Sequence, residues 1–255
     1  MLFPFLRSFS YHNTRVNIHK RCHIFRRWID SGEYELEHVS ILAKLYKPDS
    51  YIFDVGANIG LISICLLDNC QSSKVVSFEP SPRTAGLLLR TAEQSRYANR
   101  WTVIPKAVGD RPGIAEFFTA RSDLCAFDGF KDTGRAGTME RISVAVTSID
   151  AEWKSLGNPR VSLIKIDVEG AELPVLAGAT ECIEHERPAL FVEWNPANLA
   201  AYGCNSSRLL DWSIGMHYTI YSMPHLFKIH DEMELKVATL SSVNFLLLSE
   251  SHYGQ

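Results

Sequence analysis

Short, almost wholly apolar segments alternate with longer amphipathic ones through most of this 255-residue chain, and no other feature limits its fold as much. The apolar segments predict buried strands, and the amphipathic segments predict helices. Strands that are apolar on both faces and separated by helices indicate a mostly parallel sheet covered on both sides. With 46% hydrophobic residues, the chain is able to bury a full core. We therefore predict one large α/β domain with helices on both faces of its sheet.

The periodicity also gives approximate bounds for these elements. The predicted strands are residues 50–55, 74–79, 101–108, 161–167, 189–194, 217–223 and 243–249, and the predicted helices are 35–46, 61–67, 83–95, 171–182 and 206–214. Two further β-rich segments, 113–120 and 141–148, flank a loop rich in glycine and aspartate at 121–140. They predict an inserted β-hairpin after the third strand. The loop is long enough either to close over a bound molecule or to remain solvated.

Residues 1–31 differ from the rest of the chain because they are basic and aromatic, with no acid before Asp30. We predict an N-terminal arm or cap over 1–31, helical or irregular, that packs its aromatic side chains on a main domain at 32–255. The alternative is a surface for peripheral contact with anionic lipid or a lipid-linked glycan. His19, Cys22 and His23 lie in this arm, but no second ligand cluster accompanies them, so we expect no metal site there.

The net charge of the chain indicates which partners to expect, and its cysteine content indicates the cellular compartment. A formal net charge of −3 gives no overall attraction to nucleic acid, so we expect no nucleic-acid partner. The six cysteines form no Cys-x-x-Cys pair, which favours reduced thiols and a cytoplasmic protein. No segment has the roughly 20 apolar residues that span a bilayer, and the opening MLFPFL is too short for a secretory signal. The sequence does not specify the oligomeric state.

The segment FDVGANIGLISI at 53–64 runs a strand into a glycine-spaced turn and then into a helix. Asp54 ends the strand, and Gly56, Asn58 and Gly60 form the turn. Such a turn predicts a concave backbone whose free N–H groups face a ligand. Asn58 is able to adopt a left-handed backbone and to offer its amide to a polar ligand.

Glu79 ends the second strand and follows Gly60 by 19 positions. That is about the offset at which a carboxylate binds a ribose diol in dinucleotide-binding folds, so an adenosine is expected in the crevice. The G-x-G-x-x-G pattern of nicotinamide-binding folds is missing, because the spacing here is Gly56-x-x-x-Gly60. We therefore interpret the turn as a site for an amino acid moiety and not for a pyrophosphate.

The fourth and fifth strands also end in charged side chains. The fourth leads to Lys165, Asp167, Glu169 and Glu172, and the fifth to Glu193. Ligands of open α/β sheets bind beyond the carboxyl ends of the strands, so these groups should face one crevice. Asp167 and Glu193 are candidates for a general base, with Lys165 beside them. Two alternatives remain open. Lys165 either takes part in the reaction or only forms an ion pair with a neighbouring acid. Glu172 either has a direct role or only stabilises the helix by interacting with its dipole.

The segments FDVGANIG, FEPSP, AVGD, KIDVEGAE and VEW, in this order and spacing, resemble the FkbM family of S-adenosylmethionine-dependent methyltransferases. The likeness runs from about residue 32 to 195. It implies a Rossmann-like class I methyltransferase fold with a seven-stranded sheet whose last strand is antiparallel, and S-adenosyl-L-methionine as the cofactor. No metal belongs to the shared pattern.

The resemblance also implies a role for individual positions. The residues that would bind the cofactor are Asp54, Gly56, Asn58, Gly60, Glu79, Ala107 and Val108. The first four would surround the methionine portion, Glu79 would bind the ribose, and Ala107 and Val108 would lie at the adenine edge. Glu169 and Glu172 would lie on the acceptor side. Family members mostly methylate hydroxyl groups of sugars, glycolipids or natural products, so a small-molecule or glycan acceptor is expected.

Three rival functions are weighed against this hypothesis. A non-catalytic adenosine-binding scaffold would keep the glycine turn but lose the acids after the fourth and fifth strands, and those acids are present. A nicotinamide-dependent oxidoreductase would need the missing glycine pattern. A nucleic-acid methyltransferase is expected to carry an Asn/Asp-Pro-Pro-aromatic segment after the fourth strand, where this chain has KIDVEG.

Overall fold

The structure is a computed structural model that describes residues 7–19, 22, 24–26, 29, 36–120, 128–134 and 137–252. Its strands are β1 Ser8–Tyr11, β2 Thr14–Asn17, β3 Tyr51–Val55, β4 Lys74–Phe78, β5 Trp101–Ile104, β6 Ala107–Val108, β7 Gly113–Thr119, β8 Glu140–Thr147, β9 Val161–Ile166, β10 Ala189–Glu193, β11 Tyr218–Ser222, β12 Lys228–Ile229 and β13 Asn244–Ser249. Its helices are α1 Leu36–Leu42, α2 Leu61–Asn69, α3 Pro82–Gln94, α4 Ile149–Ser155, α5 Glu172–Ala177, α6 Thr180–Glu186, α7 Pro196–Ala201, α8 Arg208–Gly215 and α9 Glu232–Ala238. A short 3-10 helix, Glu250–His252, follows β13.

The central sheet has the strand order β12-β11-β13-β10-β9-β3-β4-β5. Strands β5, β4, β3, β9 and β10 are parallel, whereas β13 is antiparallel to both β10 and β11. This topology confirms the predicted Rossmann-like α/β class, including the antiparallel last strand. The two-residue strand β12 adds an eighth member at one edge, which the sequence prediction of seven strands lacked.

The third predicted strand, 101–108, is wrong as a single element. β5 stops at Ile104, and Ala107 and Val108 form β6, which joins a separate sheet of order β6-β8-β7. Pro105 lies between them and has no N–H to donate to a ladder. The backbone turns there, with the amide of Lys106 bonded to the carbonyl of Ile104. The predicted hairpin of β7 and β8 is confirmed.

The predicted helix over 171–182 is also wrong as one element, because it is divided into α5 and α6 around Gly178. A Cβ at Gly178 would lie 2.1 Å from the carbonyl oxygen of Gly109. The carbonyl of Gly178 also accepts a hydrogen bond from the amide of Asp150. This close approach of two other segments sets the break, and neither is visible in the local periodicity. The prediction also missed α4, α7, β12 and α9, which are all short.

Side chains of each central strand alternate between two hydrophobic cores. Ile52 and Phe191 belong to the core that includes α2 and α3, and Phe53 and Val192 belong to the core that includes α4 to α6. Both faces of the sheet are therefore covered, as predicted for strands that are apolar throughout.

Residues 8–17 of the N-terminal segment form a β-hairpin, which the predicted helical or irregular cap did not include, whereas residues 24–26 are helical. His12 and Asn13 link β1 to β2 with positive φ values of 45° and 57°, which suits a two-residue hairpin turn. Phe9 and Tyr11 pack into the core with α2 and α3. The Tyr11 hydroxyl lies 2.9 Å from Sγ of Cys65. The aromatic side chains of this hairpin thus pack on the domain, and lipid contact by the arm stays a prediction.

Parts of the sequence predictions fall on residues that the structure does not describe. Among these are His23 and the basic residues Lys20, Arg21 and Arg27 of the arm, and residues 121–127 and 135–136 of the loop. Among the residues described, no helix combines the length and apolar character needed to cross a bilayer. Five cysteines are described, and all five are free thiols: Cys22, Cys65, Cys70, Cys182 and Cys204.

Candidate functional site

The turn that follows β3 has the left-handed backbone that its sequence predicts. The φ values are 77° at Gly56, 50° at Asn58 and 86° at Gly60. Asparagine is one of the few residues with a side chain that tolerate this region, so the expectation for Asn58 is confirmed. The turn leads directly into α2, for which Gly60 is the N-cap.

The expectation that the amide groups of this turn are free is wrong for four of them. The amides of Gly56 and Ala57 both donate to the carbonyl of Phe78, at 3.1 and 3.0 Å. The amide of Asn58 donates to Oε2 of Glu79 at 3.0 Å, and that of Gly60 to the carbonyl of Ala57. The turn is therefore fastened to the end of β4, which fixes its shape in advance of any ligand.

Packing against other elements requires glycine at two positions of the turn. A Cβ at Gly56 would lie 1.8 Å from the carbonyl oxygen of Asp167, which is the residue after β9. A Cβ at Gly60 would lie 2.5 Å from Cδ1 of Leu88 in α3. Gly56 thus lets the ends of β3 and β9 approach closely.

A buried ion pair lies beneath the turn. Asp54 is fully buried, and it accepts a hydrogen bond from Ser63 and lies 3.2 Å from Nζ of Lys165. Lys165 also donates to the carbonyl of Gly56 at 2.9 Å, and its Nζ lies 3.4 Å from the carboxylate of Asp167. Only 3% of Lys165 is exposed. The predicted residues Asp54 and Lys165 therefore do come together, but in a position that supports the turn from below.

Sequence reasoning missed the hydrogen-bonded chain that continues from this pair. Ser63 Oγ lies 2.7 Å from Ser77 Oγ, and the indole of Trp101 donates to Ser77 at 2.7 Å. All three side chains are buried. The signal in the sequence is a serine within each of two apolar segments, because a buried hydroxyl needs a partner.

Glu79 lies at the end of β4 and is 5% exposed. Its Oε2 accepts the amide of Asn58, and its Oε1 accepts the amide of Ser81 at 2.9 Å. Burial raises the pKa of Glu79 to about 8, and the nearby Asp128 adds to the rise, while the two amides and Lys165 oppose it. An ionised carboxylate has about four acceptor positions, so two remain for other donors. This arrangement fits a vicinal diol such as that of a ribose.

Three of the predicted acidic side chains meet at the ends of β9 and β10. Carboxylate oxygens of Asp167, Glu169 and Glu193 all lie within 4.8 Å of one another. Glu169 has a left-handed φ of 55°, and Oε2 of Glu193 accepts a hydrogen bond from Asn198 at 3.3 Å. These three acids therefore lie together, and the expectation that the whole predicted set faces one crevice stays a prediction. Oxygen clusters of this kind suit hard cations, and the sequence interpretation of a site without metal stays a prediction.

Glu172 supports the turn that carries Glu169. It is 1% exposed, and its Oε1 accepts the amides of Gly170 at 3.0 Å and Val168 at 3.3 Å. Burial raises the pKa of Glu172 to about 7, and the charge of Asp167 raises it further, against the effect of the amide bonds. The structure thus places this predicted acceptor residue beneath the turn after β9.

The remaining predicted positions, Ala107 and Val108, are buried in β6. Val108 belongs to the same core as Phe53, and Ala107 packs with Phe117 of β7. β6 carries both residues into the small sheet, so any contact with an adenine edge would come from this sheet.

Residues 128–131 of the 121–140 loop lie close to the candidate site. The carboxylate of Asp128 accepts the amide of Ala120 at 2.7 Å and bonds to the Ser81 side chain. A Cβ on Gly129 would lie 3.4 Å from Cβ of Glu169. Residues 128–131, which we name the strap, therefore reach from the neighbourhood of Glu79 to that of Glu169.

Lys131 fastens the far end of the strap. Its Nζ lies 4.9 Å from the ring centroid of Tyr202 and 3.2 Å from the carbonyl oxygen of Ala201. Burial raises the pKa of Asp128, at the other end, to about 6, and its amide and serine bonds and Arg83 oppose that rise. The sequence left open whether this loop closes over a ligand or is solvated, and its composition gave no signal for these contacts.

The known proteins that this chain resembles are methyltransferases. The model of the methyltransferase FkbM domain matches residues 54–233. The 2-O-methyltransferase NoeI of Sinorhizobium fredii is 26% identical over 201 residues, which cover 72% of this chain and 79% of that protein. The hexuronic acid methyltransferase AglP of Haloferax volcanii is 26% identical over 181 residues, covering 71% of this chain and 70% of the other.

A solved structure, an FkbM methyltransferase from Methylobacillus flagellatus, matches with a TM-score of 0.49 at 17% identity. That match covers 82% of this chain and 50% of the other chain.

Proposed function

The chain belongs to the FkbM methyltransferase domain family, and from that premise we propose that it methylates a hydroxyl group of a sugar, a glycolipid or a secondary metabolite. It is a methyltransferase that depends on S-adenosyl-L-methionine. One relative is named a 2-O-methyltransferase, which indicates an oxygen acceptor in that protein. Another is named a hexuronic acid methyltransferase, which indicates a sugar acid as the acceptor in that protein. A small-molecule or glycan acceptor in the cytoplasm, and not a nucleic acid, is the matching proposal here.

The observation that carries this proposal is the meeting of Asp167, Glu169 and Glu193 at the ends of two central strands. A hydroxyl group is a weak nucleophile until it loses its proton, and a carboxylate within reach is able to accept that proton. Carboxylates also accept hydrogen bonds from the other hydroxyls of a polyol. A proton taken up by any of the three would lessen the mutual repulsion within the cluster. Asp167 and Glu193, which lie at the ends of adjacent central strands, are the two candidates for the base.

The hydrogen bonding of Glu79 supports a proposed position for the ribose of the cofactor. Its two remaining acceptor positions would bind the two ribose hydroxyls, with the carboxylate ionised. The turn of Gly56, Asn58 and Gly60 would then lie against the methionine portion, and Ala107 with Val108 near the adenine edge. In this arrangement Asp54 and Lys165 have positioning roles, because they lie beneath the turn and hold it to β9.

When bound, the cofactor supplies a methyl group on a positively charged sulfur. The acid cluster would hold the acceptor hydroxyl beside that methyl group and orient its oxygen toward it. Asp167 or Glu193 would take the hydroxyl proton. Holding the acceptor oxygen in the orientation needed for transfer would contribute up to about 7 to 11 kcal/mol. The strap would exclude water from the crevice during the transfer.

The decisive experiment is incubation of the purified chain with methyl-labelled S-adenosylmethionine and a cell extract divided into glycans, lipids, small molecules, proteins and nucleic acids. We expect label in a hydroxyl-bearing glycan, lipid or small molecule, as a methyl ether stable to base. A matched sample of the Asp167→Asn, Glu193→Gln double variant is the control. Label on protein or nucleic acid, or on nitrogen, would contradict the proposed acceptor class.

A further inference from the structure

A cavity of about 260 Å³ lies between the start of α3 and the β7–β8 sheet, beside the crevice. Its polar lining, among the described residues, consists of three hydroxyl side chains and three charged ones: Ser81, Thr84, Thr119, Arg83, Asp128 and Glu140. None of the six belongs to the acid cluster after β9 and β10. The role just proposed for Glu79 and the acid cluster therefore leaves this cavity without a function.

The start of α3 offers polar groups that no side chain satisfies. Ser81 occupies the N-cap position, where a serine hydroxyl normally accepts from an amide of the first turn. Here Ser81 makes no such side-chain bond, and its hydroxyl bonds to Asp128 instead. The amides of the first turn are therefore without a side-chain cap, and they lie at the wall of the cavity.

Thr84 gives a second, independent observation. It lines the cavity and is only 1% exposed, yet its hydroxyl has no hydrogen-bond partner among the residues that the structure describes. Buried hydroxyls are nearly always hydrogen-bonded in proteins. The Thr84 hydroxyl is closed to solvent in this structure, so a rotation of the side chain would let a molecule in the cavity complete its hydrogen bonding.

The charges at the cavity select against a simple ion. The guanidinium of Arg83 and the positive end of the α3 dipole are offset by the carboxylates of Asp128 and Glu140. What remains is a mixture of hydrogen-bond donors and acceptors without a large excess of either charge. Such a lining suits a molecule that carries several hydroxyl groups, because each hydroxyl both donates and accepts.

The other side chains of the cavity are apolar. Pro82, Ala120 and Ile142 complete the lining. A sugar ring has the matching character, with C–H groups on its faces and hydroxyl groups on its rim. Small-molecule sites in general combine an apolar wall with a few convergent polar groups.

The cavity also adjoins the crevice. The amide of Ser81 bonds to Glu79, and Asp128 precedes Gly129, which packs against Glu169. A chain of two linked sugar rings that enters under the strap would therefore be able to reach both places.

We propose that this cavity is a second saccharide subsite, which binds one sugar ring of the acceptor next to the ring that is methylated. The inference rests on the proposed function, because it assigns the acceptor to the glycan class. Thr84, Glu140 and the first turn of α3 supply the hydrogen bonds, and Ile142 supplies an apolar contact for the ring face.

The test uses the full chain saturated with S-adenosylhomocysteine, so that the cofactor site is filled. Binding of methyl glycosides of glucose, galactose, mannose and N-acetylglucosamine, and of their β-linked disaccharides, is measured by saturation-transfer difference NMR. Thr84→Val removes the buried hydroxyl without changing its shape, and Glu140→Gln changes an exposed carboxylate that has little part in folding. Thr102→Val, on the exposed side of β5, is the matched control.

We expect at least one of these saccharides to bind the loaded protein. Thr84→Val and Glu140→Gln should each weaken that binding about tenfold, as the loss of one hydrogen bond does, and Thr102→Val should leave it unchanged. Affinity for S-adenosylhomocysteine, measured by calorimetry, should be the same in all four proteins.

Three results would overturn the subsite: no saccharide of the panel binds the loaded protein, both cavity variants bind saccharide as tightly as the parent, or both variants lose affinity for S-adenosylhomocysteine as well. The last result would assign the cavity to the cofactor. A parent protein that fails to bind S-adenosylhomocysteine at all would refute the proposed function itself, and the subsite with it.

Discussion

Nζ of Lys165 lies 3.2 Å from Oδ1 of Asp54, and both side chains are almost completely buried. The lysine comes from β9 and the aspartate from β3, so the pair joins the two strands whose ends carry the candidate site. Removing one partner of such a pair leaves a buried charge without compensation, which costs more than the pair itself contributes.

Lys165→Met should therefore lower the free energy of unfolding by about 3 to 5 kcal/mol. Urea unfolding followed by circular dichroism measures the change. Lys154→Met is the matched control, because Lys154 forms an exposed ion pair with Glu181 and its loss should cost about 1 kcal/mol or less. Equal effects of the two substitutions would refute the supporting role of Lys165.

Gly56 and Gly86 form a second matched pair. Gly56→Ala places a methyl group where the carbonyl of Asp167 lies, at a positive φ, so we expect a loss of more than about 3 kcal/mol or failure to fold. Gly86 lies in α3 with open space around its Cβ position, and alanine there should stabilise the helix by about 0.5 to 1 kcal/mol. Thermal unfolding of both variants tests the difference, and similar melting temperatures would contradict the close packing at Gly56.

Glu79→Ala should weaken binding of S-adenosylhomocysteine by about 10- to 100-fold, since a hydrogen bond to a charged group is worth about 1.5 to 3 kcal/mol. Isothermal titration calorimetry above pH 8 gives the affinities with the carboxylate ionised. Glu93→Ala, an exposed glutamate of α3, is the control and should bind as the parent does. Undiminished affinity in Glu79→Ala would remove this residue from the cofactor site.

The pKa of Glu79 also predicts how stability depends on pH. Its pKa in the folded protein is raised from 4.5 to about 8, so between these values the folded state holds a proton that the unfolded state has lost. The free energy of unfolding must then fall as pH rises through this window, by at most about 1.4 kcal/mol per pH unit from this group. Glu79→Gln does not titrate at this position and should lose less stability between pH 5 and pH 8.

Urea unfolding of both proteins at several pH values measures that difference. The raised pKa of Glu172 acts in the same direction in both proteins, so it cancels in the comparison. Asp128 interacts with Glu79, so Asp128→Asn is introduced into both proteins. Parallel stability curves would show that Glu79 titrates near its ordinary pKa in the folded state.

A comparison of two single variants tests which residue is the general base of the reaction. Asp167→Asn and Glu193→Gln should each retain affinity for S-adenosylhomocysteine, and the variant that lacks the base should turn over about 10²- to 10⁴-fold more slowly. The other variant should show a raised KM for the acceptor with a smaller change in kcat. Full activity in both single variants would reject a carboxylate base in this cluster.

The sequence predicted the central sheet well because its strands are apolar on both faces and helices such as α3 and α8 are amphipathic, although α2 is buried on nearly all sides. It also predicted which side chains follow the strands, since the carboxyl ends of parallel strands meet at one edge. Asp167, Glu169 and Glu193 come together for that reason.

Other features were not predictable because they depend on contacts between segments distant in the chain. Lys165 lies beneath the turn and not in the crevice because the carbonyl of Gly56, 109 positions earlier, accepts a hydrogen bond from its ammonium group. The break at Gly178 follows from its contact with Gly109. The position of the strap depends on the contact of Asp128 with Ser81 at the start of α3 and of Lys131 with Ala201 at the end of α7. The sequence of a loop does not indicate which distant residues it contacts.

The link between Lys165 and Gly56 also bears on how the chain is made. A ribosome adds roughly 5 to 20 residues per second, so several seconds pass between synthesis of the glycine turn and arrival of the lysine 109 positions later. During that interval Asp54 has no cation from β9 and must stay hydrated. The ion pair beneath the turn and the bond from Lys165 to Gly56 therefore form only after β9 has left the exit tunnel.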